Sequence, residues 1–126
     1  MKKILIAMNN NVLLEKLKKC GKYNIHNYDI DIKEDVIEYL KKYEVDVLIT
    51  KDFLNGLLTK EEYIREIRQV NSSVKIILCV EELNEIYRGF LFSNNIFDVI
   101  EGPEANFSDI LSMIDSVKNT IVLRKN

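Results

Sequence analysis

The chain has 126 residues, 47% of them apolar and 30% charged, and its 18 basic and 20 acidic side chains give a net charge of −2. That is the length of one domain with an ordinary globular composition, so wholesale disorder is excluded. The lack of a basic excess argues against nucleic-acid binding by phosphate neutralisation, and no apolar run nears the ~20 residues of a membrane span.

Ile4-Leu5-Ile6-Ala7-Met8 is a continuous apolar run, the pattern of a strand buried on both faces. Asn11 to Lys19 follows as a helix with Val12, Leu13, Leu14 and Leu17 on its apolar side, and Gly21 suits its end. Tyr23 to Ile30 mixes apolar and polar residues, as an edge strand must. A second helix is predicted from Asp31 to Tyr43, with Ile32, Val36, Ile37 and Leu40 as its stripe.

Val45 to Thr50 is the third strand, and Asn55-Gly56 marks a turn. Thr59-Lys60-Glu61-Glu62 is a capping box that opens a helix carrying Tyr63, Ile64 and Ile67. Lys75 to Val80 is the most apolar strand. Glu82 to Asn94 reads as a helix with Leu83, Ile86, Tyr87, Phe90 and Leu91 at helical spacing. Ile96 to Ile100 is the fifth strand, ending at Gly102-Pro103, and Phe107 to about Lys118 is the last helix, with Ile110, Leu111 and Ile114 inward.

Strands alternating with helices demand a parallel sheet covered on both faces. The first, third and fourth strands are the most apolar and so belong at the centre. The predicted fold is α/β, a flavodoxin-like doubly wound sheet of five parallel strands in the order 2-1-3-4-5. Residues 1–118 form the domain, and 119–126 are a tail or the start of a linker.

Several chemistries lack their residues. The loop Met8-Asn9-Asn10-Asn11-Val12 has no glycine, serine or threonine to cradle a phosphate. Cys20, Cys79 and His26 are too few and too scattered for zinc. They read as reduced thiols of a cytoplasmic protein and a half-exposed strand histidine. No Ser-His or Cys-His nucleophile pair is legible, and Asp52, Glu81 and Glu101 read as solvated loop acids rather than a metal site. The sequence therefore predicts no enzyme activity, no cofactor and no metal.

Lys3-Ile4-Leu5-Ile6-Ala7-Met8-Asn9, Val45-Asp46-Val47-Leu48-Ile49-Thr50-Lys51, the Lys75 to Val80 strand and Phe97-Asp98-Val99-Ile100-Glu101-Gly102-Pro103 carry a resemblance. Together they resemble the receiver domain, the phospho-accepting module of two-component response regulators. Asn95 stands where that family has a helix-ending glycine, and Asn is the next best residue for a left-handed slot. The family's chemistry uses two acids after strand one, an acceptor acid on strand three, a hydroxyl after strand four and a lysine after strand five. Those places map onto Met8 and Asn9, Val80 and Gly102. The acceptor maps onto Lys51 counted from strand three, or onto Asp52 counted back from the third helix. The family's aromatic switch position maps onto Val99.

The resemblance thus implies a degenerate, pseudo-receiver domain of bacterial type: the architecture of signal transduction without the phosphorylation chemistry. Similar degenerate domains head larger proteins, including ATPases of ParA/MinD type. It also implies contact with a protein partner, or self-association, through helix four, strand five and helix five. There the candidate surface is Tyr87, Arg88, Phe90, Leu91, Phe92 and Val99. The alternative is a sensor that takes a small molecule into the emptied acid pocket of Met8, Asn9, Lys51, Asp52, Val80 and Gly102.

Overall fold

A computed structural model describes residues 2–8, 11–26, 32–52, 54, 59–101 and 109–115. The apolar runs become strands and the periodic segments helices. In chain order these are β1 (Lys2–Ala7), α1 (Asn11–Cys20), β2 (Tyr23–His26), α2 (Lys33–Lys42), β3 (Val47–Lys51), α3 (Lys60–Val70), β4 (Lys75–Val80), α4 (Glu85–Ser93) and β5 (Asp98–Glu101). Residues 109–115 form a fifth helical segment, α5. The Asn55-Gly56 turn, Asn9, the Gly102-Pro103 segment, the boundary at 118 and the tail lie outside the described residues.

The sheet order is β2-β1-β3-β4-β5, as the apolarity ranking predicts, and every pairing is parallel. Strand periodicity divides the core in two. Leu5, Ala7, Leu48, Ile76, Leu78 and Val80 face α2, α3 and α4. Ile4, Ile6, Met8, Val47, Ile49, Ile77, Cys79 and Ile100 face α1 and α5. Each fully buried Ile or Leu contributes roughly 2 kcal/mol against exposure.

Helix ends follow their signals. Thr59 Oγ1 accepts from the Glu62 amide at 3.1 Å, as the capping box requires. Asn84 Oδ1 accepts from the Tyr87 amide at 2.8 Å and so starts α4. Gly21 ends α1 at φ 66°, and Asn95 follows α4 at φ 58°, filling the left-handed slot. Arg68 of α3 then fastens the end of α4. It donates through Nε to the Asn94 carbonyl at 2.9 Å and through Nη2 to the Asn95 carbonyl at 2.8 Å. Through Nη1 it reaches the Val74 carbonyl at 2.7 Å and the Asn71 carbonyl at 3.4 Å.

Four sequence expectations need correction. Helix α2 starts at Lys33, so Ile32 is its extended N-cap residue and is exposed rather than part of the stripe. Val12 is exposed, because Leu13, Leu14 and Leu17 already fill the face of α1 toward the sheet. Strand β5 is Asp98–Glu101, shifted two residues in its start and one in its end from Ile96–Ile100. Helix α4 starts at Glu85 rather than Glu82, because Asn84 caps it. At about 100° per residue, Leu91 stays near Tyr87 on the wheel, Phe90 lies about 60° away and Ile86 about 100° away. Tyr87 and Leu91 are accordingly buried and Phe90 half-buried, while Ile86 is 88% exposed.

Candidate functional site

Parallel strands end together, so the carboxyl termini of β1, β3, β4 and β5 form one rim. Met8 lies just past β1, buried, with its sulfur 3.9 Å from Cys79 Sγ. Val80 ends β4 and is also buried. Lys51 ends β3, opposite Cys79 in the ladder, and its side chain is exposed. Asp52 turns the other way and is only 8% exposed.

Asp52 is held from two sides. Its amide donates to the Cys79 carbonyl at 3.2 Å. Its Oδ2 accepts from the Tyr87 hydroxyl of α4 at 3.0 Å. The Lys60 ammonium of α3 lies 4.0 Å from the centre of the Tyr87 ring, a cation–π contact. Burial pushes the Asp52 carboxyl above its ordinary range, against the opposing pull of the Tyr87 hydrogen bond and the Lys60 charge. Burial likewise pushes the Tyr87 hydroxyl upward, reinforced by the Asp52 charge.

A second buried pair lies beneath. Thr50 Oγ1 is 2.8 Å from the Tyr63 hydroxyl, 2.9 Å from the Lys51 carbonyl and 3.3 Å from the Ala7 carbonyl. A hydroxyl has one proton, so with the Lys51 carbonyl as its acceptor Thr50 receives from Tyr63. The Cys79 thiol is pushed up to about 11, mainly by burial.

The acids at the rim do not converge. Glu101 Oε2 accepts from the Leu83 amide at 3.2 Å, and Glu81 is exposed. Among the described residues, no three His, Cys, Asp or Glu side chains are grouped so as to hold a cation. His26 ends β2 in register with Leu5, two residues short of the end of β1, with Nδ1 2.6 Å from the Tyr39 hydroxyl.

The candidate interaction surface is split by the structure. Tyr87 (3% exposed) and Leu91 are core residues and cannot front a partner; the i, i+4 spacing that joins them is their inward stripe. Phe90 and Val99 are half-buried, and the Arg65 guanidinium lies 5.1 Å from the Phe90 ring centre. Arg88 is exposed and Phe92 is 85% exposed. The outward side of α4 therefore carries Arg88 and Phe92, about 40° apart on the wheel, while Ile86 is exposed on the opposite flank, where the apolar spacing of the sequence points inward. For three residues that matter here the sequence carries no signal of the partner. Lys60, Tyr63 and Arg68 act through partners that the fold brings to them.

No protein-family model and no curated protein matches the chain. Solved structures do. A signal receiver domain of a putative LuxO repressor protein from Vibrio parahaemolyticus superposes with a TM-score of 0.80 at 16% identity, over 98% of this chain and 95% of that one. A LuxR-family DNA-binding response regulator from Staphylococcus aureus gives a TM-score of 0.76 at 21% identity, over 93% and 98%. A CheY-like response regulator receiver domain from Methanospirillum hungatei JF-1 gives 0.75 at 15% identity, over 94% and 95%. The chain has the fold of a CheY-like receiver domain, and identities this low establish the fold alone. Among the described residues, no helix is long and apolar enough to cross a membrane.

Proposed function

We propose that this protein is a receiver-like regulatory module that docks onto a protein partner without accepting phosphate. The observation that carries the reading is the state of the rim. Its one buried carboxylate among the described residues, Asp52, faces inward onto Tyr87, while β3 ends in an exposed ammonium, Lys51. The fold's usual chemistry calls for Mg²⁺, a hard ion that wants several oxygen ligands. The described rim is a poor fit to it: Met8 offers a thioether already packed on Cys79, and Lys51 brings a like charge. Among the described residues of the rim, neither Met8 nor Val80 offers a group that could hold a phosphoryl oxygen.

What remains usable is the surface. Phe92 is a large exposed apolar side chain with Arg88 exposed about 40° from it on the same helix, a pairing suited to an interface centre, and Ile86 is exposed on the flank of that helix. Met8 and Val80 are already packed into the core, which disfavours the alternative of an open apolar pocket for a small molecule.

Exposure to acetyl phosphate with Mg²⁺, followed by intact-mass measurement, tests the reading. An unchanged mass is expected, and a stable aspartyl-phosphate adduct rejects it. For docking, Phe92→Ser should weaken partner capture at least tenfold while leaving the melting temperature within a few degrees. Equal capture by both proteins would remove α4 from the interface.

A further inference from the structure

The apolar residues exposed on α4 share that helix with Tyr87, which among the described residues makes the helix's one hydrogen bond to the rim. We propose that the Tyr87–Asp52 hydrogen bond is a fixed tie that positions the exposed face of α4, with Tyr87 as the positioning residue. This rests on the docking role given above and adds how the docking face is held.

The tie is built from both sides. Asp52 stands one residue beyond β3, anchored through its amide to β4. Tyr87 lies in the first turn of α4, just inside the Asn84 cap, where a displaced side chain moves the start of the helix. Lys60 closes the ring from α3 at 4.0 Å, and Phe90 stacks beside it with ring centres 6.4 Å apart at 14°. Rim, α3 and α4 thus meet at the Tyr87 side chain, Asp52 at its hydroxyl and Lys60 over its ring. A buried carboxylate that loses its donor is costly, so the arrangement with Tyr87 seated is strongly preferred over one with α4 shifted. Ile86, Arg88 and Phe92 are presented in the geometry that this contact sets.

Hydrogen exchange of the full chain, read by mass spectrometry without any phosphodonor, tests the tie. Tyr87→Phe should make the amides of residues 85–93 exchange about tenfold faster, with those of β1 and β3 unchanged. Asp52→Ala should do the same, and the double variant should add little to either single one. Asp52→Asn keeps an acceptor for the hydroxyl and should stay close to the parent. If Tyr87→Phe fails to fold, the contrast of Asp52→Asn with Asp52→Ala decides alone. Unchanged exchange in α4, an equal rise in every element, or additive effects in the double variant overturns the proposal. The absence of phosphodonor separates that failure from a failure of the docking reading, which the mass measurement decides.

Discussion

At its first turn α4 is held by a hydroxyl donating to a carboxylate; at its last, by a guanidinium donating to carbonyls. The two fastenings bury opposite charges, and they are satisfied to different degrees. Arg68 spreads its donors over the carbonyls of Asn71, Val74, Asn94 and Asn95. Asn71 and Asn94 are the C-caps of α3 and α4, where helix dipoles present their negative ends. Among the described residues, neutral dipoles and no carboxylate meet the cation. Asp52 has acceptors only, and its side chain receives one hydroxyl with a lysine at the margin. Its carboxyl is accordingly displaced upward by burial. A planar fork of five donors is easier to bury than a carboxylate, because a protein interior near helix ends is rich in carbonyls.

The largest test of that contrast is Arg68→Met. It strips four carbonyls of their donor at once and should lower the unfolding free energy by about 3 kcal/mol in urea. A loss below about 1 kcal/mol would mean that water replaces the guanidinium freely and that the two fastenings are alike.

The next test uses pH on the Asp52 side. A carboxyl whose pKa is raised by folding contributes stability that is fully present below the unfolded pKa and is lost as pH rises through the folded value. The parent should therefore lose stability relative to Asp52→Asn as pH climbs from about 3 past the usual carboxylate range, then run parallel to it. Paired urea titrations across that range check the sign. A difference that grows in the parent's favour would show Asp52 to be stabilised as the anion, making its fastening as well satisfied as that of Arg68.

The smallest effect concerns the turn that Arg68 grips. Asn95→Gly relieves a left-handed residue and should gain less than about 1 kcal/mol, whereas Asn95→Ala should lose about 1 kcal/mol. Equal melting temperatures for the two would show that the turn is fixed by Arg68 and not by its own residue.

The sheet was legible because its signal is local. Continuous apolar runs mark β1, β3 and β4 as strands buried on both faces, which places them at the centre and fits the flavodoxin-like order that the sheet has. The capping box at Thr59 and the left-handed Asn95 are likewise written within a few residues. The two fastenings of α4 are not. Arg68 meets acceptors up to 27 residues away, and Asp52 meets Tyr87 across 35, so no spacing in the sequence announces them. Tyr87 could be placed on an apolar stripe, yet its hydroxyl end, which decides its role, is invisible to periodicity. Ile86 was misplaced for a related reason: the stripe was extended one step too far around a helix that begins later than its apolar pattern.

The sulfur chemistry of the sheet has a practical corollary. Cys20 is half-buried at the end of α1, whereas Cys79 lies inside the sheet beside Met8 with a thiol raised to about 11. A maleimide at neutral pH should label the first and leave the second untouched until the strands part. The rate of second labelling then serves as a built-in clock for global opening, with no engineered cysteine required.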